Sequence, residues 1–510
     1  MSTIETDAAG QDQKTVLEFL GGEKRKCKRI DTHASIVFLE KDRVLKVKRA
    51  VRLPFLDYST IEKRKAACEE ELVVNKAFAP DIYRRVVAIT QGKNSLEIDG
   101  DGPAVDWAVE MARFDENRTF DHLGRAGKIT LELADELAGI MHDAHERAPV
   151  SHGASWLASV DGIIDRNTST FRNEALVAPA DVERLHELSH QRLTECKPLM
   201  HARAEAGFVR RCHGDAHLGN IVLIEERPVL FDAIEFDPVI ATTDILYDLA
   251  FPLMDLIHFG LEVCASRLFN SYLQINWKDN ADAVRLLPLF LSMRAAIRAN
   301  VLFTKCRLTP DNANDAAGAK AYFDLALKHL EPARPSLIAI GGMSGTGKSV
   351  LAREVAALIP PLPGAVILRS DVIRKELFGV DPLTPLPRAA YAPDVTERIY
   401  RMLYERTRHL TGQGFSVIID AAFLRETERS ELSAEARKIN ADFRPIFLTA
   451  DLAIRLDRIG SRKRDASDAT REVASDQESY DLGRLDWPMV DASGSPEQTL
   501  ARSKVLLLPR

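Results

Sequence analysis

Apolar and polar positions follow two rhythms along the chain. Residues 35–39 and 43–48 read as short strands around a polar turn at 40–42, and strand-like runs at 83–89 and 107–111 flank a Gly/Asp-rich turn at 99–103. A helix fits 60–79, and long helical patterns cover 130–147 and 181–206. Ahead of them, residues 1–14 are expected to fray, and 15–30 to form a short helix and a basic turn. From residue 337 the rhythm changes to uninterrupted apolar runs at 337–340, 365–368, 416–420 and 445–449, which suit strands buried on both faces. Val350, Leu351, Val355 and Leu358 follow the first run at helical spacing, as in a helix packed on a sheet. Between the two regimes, residues 308–320 are rich in Asn, Asp, Ala and Gly, and Pro332 and Pro335 follow a helical stretch at 322–330. The pattern predicts a flexible 1–14, a domain at 15–330 and a second domain at 331–510.

The chemistry is most specific where the rhythm changes. Gly342-Met343-Ser344-Gly345-Thr346-Gly347-Lys348-Ser349 fits G-x-x-x-x-G-K-[ST] at every fixed position. It stands between a strand and a helix, the order a phosphate cradle requires. Glycines let backbone N–H groups turn inward, and the helix N-terminus adds partial positive charge. Gly342, Ser344, Gly345, Thr346 and Gly347 would line the phosphates, Lys348 would reach the β- and γ-phosphates, and the Ser349 hydroxyl would ligate Mg²⁺. Asp420 closes the run at 416–420 and is the natural acidic partner for that ion. Asp371 follows the run at 365–368, at the carboxyl edge where α/β sheets bind ligands, with Arg374 on the helix behind it; an ordinary helix N-cap at Asp371 is the other reading. The helical run at 451–464 carries Arg455, Arg458, Arg462 and Arg464 ahead of Asp465 and Asp468. It reads either as a lid, with Arg462 and Arg464 nearest the loop, or as a solvated basic face.

A second constellation lies in the first half. Arg211-Cys-His-Gly-Asp215-Ala-His-Leu-Gly-Asn220 is followed by Asp232 at the end of an apolar run. That spacing suits a phosphoryl-transfer loop, with Asp215 orienting and deprotonating a hydroxyl and Asn220 and Asp232 holding Mg²⁺. His213, Asp215 and His217 as a metal cluster, or a purely structural polar loop, are the competing readings. HGDAHLGN, FDAIEFDP and DILYDLAF resemble the aminoglycoside phosphotransferase and choline kinase branch of the protein-kinase-like fold, over roughly residues 30–330. The resemblance implies that a hairpin lysine, Lys46 ahead of Lys48, pairs with ATP phosphates. It implies that a helical glutamate, Glu71 among Glu69, Glu70 and Glu71, steadies that lysine. It also implies that backbone around 110–112 forms an adenine hinge, and that Asp244 and Asp248 brace the loop. Arg294 and Arg298, one turn apart, face either an anion or solvent. The sequence departs from the kinase pattern at 31–35, where Asp-Thr-His-Ala-Ser stands in place of a G-x-G-x-x-G loop.

The second half resembles P-loop small-molecule and polynucleotide kinases, gluconate-kinase-like and zeta-toxin-like enzymes among them. In those, the residue at Asp371 is the acceptor base and that at Arg374 binds substrate. The whole chain resembles a bacterial fusion of the two types. The expected architecture is an N-terminal bilobal kinase-like domain (α+β) followed by a P-loop NTPase three-layer α/β domain with a parallel sheet. The expected function is transfer of phosphate from ATP, with Mg²⁺, to a small hydroxylated acceptor. The alternatives are a sensor whose first half only binds ligand, a C-terminal domain acting on nucleic-acid ends, and an ATPase without acceptor. Composition narrows these little: 45% hydrophobic and 28% charged residues describe an ordinary globular chain, and a net charge of −7 gives nucleic acid no general purchase. Six cysteines without a C-x-x-C pair fit free thiols in a reducing, cytoplasmic setting. No uncharged apolar stretch approaches the roughly 18 residues of a membrane helix, so no membrane partner is expected. The acceptor and the oligomeric state are left open.

Overall fold

The structure, a computed structural model, describes residues 8–22, 25–32, 34–53, 56–308, 313–462 and 465–508. Two compact units divide the chain: Met1–Ile129 with Ile140–Gly162 and Lys197–Asp255, and Thr130–Gly139 with Ile163–Cys196 and Leu256–Arg510.

In the first unit, helix α1 (Ala8–Gly21) precedes strands β1 (Lys28–Asp31), β2 (Ser35–Leu39) and β3 (Arg43–Lys48). A two-residue hairpin, β4 (Arg52–Leu53) and β5 (Leu56–Asp57), leads to helix α2 (Ile61–Lys76) and strands β6 (Tyr83–Gln91), β7 (Leu96–Ile98) and β8 (Ala104–Ala112). The six long strands form one antiparallel sheet in the order β1-β2-β3-β8-β6-β7. Alternation gives it two apolar faces. Val16 and Leu20 of α1 pack with Ile36, Phe38, Leu45, Val47 and Val87 on one, while Cys68 of α2, Val44, Tyr83, Val109 and Met111 pack on the other. The expected fray at 1–14 does not extend through 8–14, because α1 starts at Ala8. Gln13 anchors it: its amide donates to Lys48 O at 2.7 Å and Asp106 Oδ2 at 3.0 Å, and accepts from Ala50 N at 2.7 Å. The expected basic turn before the hairpin is instead partly strand β1, an exposed edge on which Arg and Lys are tolerated.

Helices α3 (Phe120–Arg125), α4 (Leu131–Arg147), α5 (Ala154–Phe171) and α6 (Pro179–Glu205) follow; α4 and α6 stand where helices were expected at 130–147 and 181–206, and α5 is an additional helix between them. Strands β9 (Val209–Arg211), β10 (Ile221–Ile224), β11 (Arg227–Leu230) and β12 (Thr242–Asp244) carry the loop around Asp215, with helix α7 (Pro238–Ala241) ahead of β12. Helices α8 (Ile245–His258), α9 (Glu262–Ile275), α10 (Trp277–Asn280), α11 (Leu287–Leu308) and α12 (Ala313–Leu330) complete the middle of the chain. The stretch Trp277–Arg307 is long and apolar enough to cross a membrane by composition, yet 67% of its most apolar window is buried inside the fold, as in the core helix of a soluble protein.

The second unit contains a five-stranded, wholly parallel sheet. Its members are β13 (Ser336–Gly342), β14 (Val366–Arg369), β15 (Val417–Asp420), β16 (Asp442–Thr449) and β17 (Met489–Asp491), in the order β14-β15-β13-β16-β17. All seven residues of β13 are buried, which explains its unbroken apolar run. Helices α13 (Lys348–Ala356), α14 (Ser370–Leu377), α15 (Pro393–Gly412), α16 (Glu426–Lys438), α17 (Leu452–Ser461), α18 (Arg471–Asp476) and α19 (Pro496–Leu507) accompany the sheet. The face of α13 that packs is Leu351, Ala352, Val355 and Ala356. Val350, expected in that stripe, is 43% exposed because it falls outside its angular sector, and Leu358, 39% exposed, lies beyond the last helical residue, Ala356. Helices α9 to α12 share this unit with the sheet, so its extent differs from a division at 330/331.

Candidate functional site

The phosphate loop joins β13 to α13 through a backbone that only glycine adopts without strain. Gly342, Gly345 and Gly347 have φ of 140°, 84° and 92°. A Cβ at Gly342 would stand 2.6 Å from Leu448 O, and one at Gly345 2.7 Å from Arg455 O. Thr346 Oγ1 donates to Met343 O at 2.8 Å, closing the loop on itself, and Lys348 Nζ donates to the same carbonyl at 3.0 Å. Burial pulls the Lys348 ammonium below the usual lysine range, against the opposing pull of Asp420 and Asp371.

At the mouth of the loop four chain segments meet. Ser349 Oγ donates to Asp420 Oδ2 at 2.5 Å. Arg369, the last residue of β14, donates to Asp420 Oδ2 at 3.1 Å, Ser349 Oγ at 3.0 Å and Asp465 Oδ1 at 3.0 Å. Asp371 stands two residues on. Burial raises its carboxyl above the ordinary range, Arg369 and Lys348 lower it, and Asp420 adds to the rise. The N-cap of α14 is Arg369 and Asp371 lies inside the helix, so the N-cap reading of Asp371 does not hold.

Other predicted residues sit elsewhere. Arg374 is 6% exposed; it donates to Ala390 O at 2.7 Å and its guanidinium lies 4.7 Å over the Tyr391 ring. It therefore secures the segment at 388–391. Arg455 is buried behind the loop rather than in a lid. It donates to Ser344 O at 2.8 Å and Ala474 O at 3.0 Å and pairs with Glu478. Arg458 donates to Gly494 O at 2.7 Å. Arg462 donates to Ser467 O at 3.4 Å, at the C-cap of α17, and its charge bears on Lys348. Arg464 lies outside the described residues. The acidic loop at 465–468 is tied down twice, by Asp465 to Arg369 and by Asp468, which takes the buried Lys375 Nζ at 2.6 Å, Tyr391 Oη at 2.6 Å and Leu386 N at 3.0 Å. Sequence reasoning missed Arg369 and Lys375. Arg369 was legible as the polar end of an apolar strand beside the phosphate loop; Lys375 carried no local signal.

In the first unit, two lysines and one glutamate form a buried chain of charges. Lys46 Nζ lies 2.7 Å from Glu71 Oε1 and 2.5 Å from Asp232 Oδ1, and Lys48 Nζ lies 2.7 Å from Glu71 Oε2 and pairs also with Glu235. Glu71 is fully buried, whereas Glu69 and Glu70 face outward to Lys65 and Arg211. Burial alone would lower the Lys46 ammonium, but Asp232 and Glu71 outweigh it and hold it well above its usual value. Burial works against ionisation of Glu71 and Asp232 too, and the lysines prevail and lower both. Glu71 belongs to the buried stripe Arg64, Cys68, Glu71 and Asn75 of α2. That stripe is the signal separating it from its neighbours. Asn75, one turn on, pins the chain beside Asp232: Ala233 N donates to Asn75 Oδ1 at 2.7 Å and Asn75 Nδ2 returns to Ala233 O at 3.2 Å.

Asp215 and Asn220 meet across their loop, with Asn220 Nδ2 at 3.1 Å from Asp215 Oδ2. Gly214, at φ 82°, donates its N–H to Asp248 Oδ1 at 2.8 Å, and Leu218 N donates to Asp255 Oδ2 at 3.0 Å. Asp244 takes Arg203 at 2.6 Å and Leu246 N at 2.8 Å. Asp248 thus holds backbone of the loop, while Asp244 holds the start of α8 and Arg203. His213 spends one ring nitrogen on Phe231 O at 2.9 Å and the other on Asp215 N at 3.4 Å, and His217 Nδ1 accepts from Gly219 N at 3.0 Å. Both nitrogens of His213 are thus engaged within the fold, and His213 is buried. Backbone at 110–112 is paired within the sheet, Leu45 with Glu110, Tyr83 with Met111 and Arg43 with Ala112, so any free hinge groups begin after Ala112. The turn after β1 is tight: Thr32 N and Oγ1 both donate to Ser35 O, at 2.9 and 2.8 Å. Arg294 is buried, and Arg298 lies 5.8 Å over the Tyr322 ring.

The chain is similar to several known proteins. Residues 337–480 match a family model described as an AAA domain. Uncharacterized proteins of Mycobacterium tuberculosis and Mycobacterium bovis are 27% identical over 491 residues, which is 93% of this chain and 94% of theirs, so the similarity spans both halves. Among solved structures, a gluconokinase from Sinorhizobium meliloti is 19% identical with a TM-score of 0.25, over 33% of this chain and 90% of that one. A choline/ethanolamine kinase family protein from Mesorhizobium loti is 13% identical with a TM-score of 0.36, over 63% of this chain and 99% of that one.

Proposed function

We propose that the chain is an ATP-dependent phosphotransferase for a small hydroxylated acceptor and that it binds nucleotide at two places. The observation that carries this reading is the meeting of Ser349, Asp420, Arg369 and Lys348 at the carboxyl edge of a parallel sheet, beside a half-buried carboxyl, Asp371. Ser349 and Asp420 are hard oxygen donors of the kind Mg²⁺ takes, and Asp232 with Asn220 offers a comparable set in the first unit. Mg²⁺ with ATP supplies the phosphoryl group and neutralises its charge. The chain's own residues do the rest. Lys348 and the N–H groups of the glycine loop hold phosphate, and Arg369 fixes the Asp420 carboxylate. Asp371 takes the proton of the acceptor hydroxyl, its raised affinity for protons matching it to that task. Arg462 stands close enough to Lys348 to add charge where phosphate is transferred. In the first unit, Lys46, steadied by Glu71, serves the phosphates, and Asp215 orients a second acceptor.

One observation favours a different role for the first unit, that of a ligand sensor. The Thr32–Ser35 turn is closed on itself, and Asp31 pairs with Arg29 and Arg49 where a kinase has glycines over the phosphates. Calorimetric titration with a non-hydrolysable ATP analogue and Mg²⁺ separates the two. A stoichiometry near two, falling to one in either Lys348→Ala or Asp232→Ala, supports two nucleotide sites. A stoichiometry near one that Asp232→Ala leaves unchanged refutes the two-site reading and leaves the sensor.

A further inference from the structure

Away from both sites, α5 and α6 turn three ligating side chains toward one another. Asp165 on α5 and His186 and His190 on α6 each bring a ligand atom within 4.8 Å of the other two. The histidines are four apart on one helix and so share a face; their ring centroids are 4.5 Å apart. His190 Nε2 lies 2.9 Å from Asp165 Oδ1.

The neighbouring hydrogen bonds determine how His186 is presented. Thr168 donates its hydroxyl proton to Ile164 O at 3.0 Å, so toward His186 Nδ1, 3.3 Å away, it can only accept. The imidazole proton therefore sits on Nδ1, and Nε2 keeps its lone pair. Metal-bound histidines carry this kind of outer hydrogen bond, which sets the tautomer and aims the ring. A ring that served only packing would need no such orientation.

We propose that Asp165, His186 and His190 bind a divalent transition ion of borderline softness, zinc being the reference case. Two imidazoles and one carboxylate suit zinc, cobalt or nickel, whereas Mg²⁺ and Ca²⁺ prefer oxygen throughout. Three protein ligands leave a coordination position to water. The cluster lies at the surface, with the Asp165 side chain 57% exposed and that of His190 32% exposed. Its effect is mechanical: the ion clips α5 to α6. Asp165 exchanges its hydrogen bond to His190 for a metal bond, and the His190 proton passes through solvent from Nε2 to Nδ1, so that the neutral ring binds the ion.

The test uses the full chain, stripped with chelator and titrated with Zn²⁺ by calorimetry and with Co²⁺ by visible absorption, in excess Mg²⁺. Wild type is compared with His186→Gln, with the double variant His186→Gln/His190→Gln, and with Thr168→Val. The wild type should bind one more equivalent than the double variant and show a tetrahedral cobalt spectrum that the double variant lacks. Thr168→Val should retain that equivalent at an affinity 10- to 100-fold weaker. Zinc should raise the thermal midpoint of the wild type and not of the double variant. Equal stoichiometry and affinity in wild type and double variant, with circular dichroism unchanged, would overturn the assignment; binding at the half-buried thiols Cys27 and Cys306 alone gives that result.

Discussion

Replacing Asn270 with leucine keeps the volume of the side chain and removes its two hydrogen bonds to strand β14. Asn270 Nδ2 donates to Ala365 O at 3.1 Å, and its Oδ1 accepts from Ile367 N at 2.8 Å. Strand β14 is the outer member of the five-stranded sheet, so on that side an amide side chain on α9 does what a neighbouring strand would do. Each backbone group left unpaired away from water costs about 1–3 kcal/mol. Ala365 is fully buried and Ile367 only half-buried, so water recovers part of the loss at Ile367. The expected weakening is about 2–3 kcal/mol for local opening of this edge, from that range. At tenfold per 1.4 kcal/mol, the Ile367 amide should exchange with deuterated solvent roughly 30- to 150-fold faster. The Val366 amide, which donates to Ser416 O at 2.9 Å on the opposite side, is the internal reference and should change far less. Acceleration of Ile367 by less than about threefold, or an equal acceleration of Val366 and the amides of β13, would refute the local bracing role. Because β14 ends in Arg369, the same variant should also weaken Mg²⁺-dependent binding of the ATP analogue at the phosphate loop.

Three further outcomes follow from the geometry. Glu71→Gln leaves two buried lysines with one carboxylate fewer and should cost about 3–5 kcal/mol in chemical denaturation, whereas Glu69→Gln should stay within about 0.5 kcal/mol; similar values for the two would contradict the buried pairing. His329 is buried, which pulls its imidazole down to about 3. The unfolded chain therefore binds the proton more readily, and stability present above the ordinary histidine value is lost as pH falls from there toward 3, by up to about 1.4 kcal/mol per pH unit. His329→Leu should flatten that part of the acid limb, and an unchanged slope in urea titrations at successive pH values would refute this. A fragment of residues 331–510 lacks Asn270 and the contact of Phe269 with Phe415, whose ring centroids are 5.9 Å apart. It should unfold at lower urea than the same sheet in the whole chain, and an unaltered midpoint would show that 330/331 is a clean boundary after all.

Local spacing alone determined the parts of this protein that depend on contiguous backbone. The phosphate loop was legible because eight consecutive residues must meet fixed dihedral and hydrogen-bond demands, with glycine where φ is positive and a strand and a helix on either side. The order Asp215, Asn220, Asp232 was legible for the same reason, as was Asp420 at the end of its apolar run. What spacing left open was the choice among chemically alike side chains. Glu71 rather than Glu69 or Glu70 meets the lysines because it faces the sheet across which Lys46 and Lys48 project. Both lysines engage it, a result that neither alternative had anticipated. Arg374, expected to bind substrate, and Arg455, expected in a lid or on a solvated face, are enclosed by 388–391 and by α18. The bracing of β14 by α9 likewise arises from packing between elements far apart in sequence, and the meeting of Asp165 with His186 and His190 from the packing of two successive helices. Burial is shared among segments, and which charge must be paired inside is decided only once they close on one another.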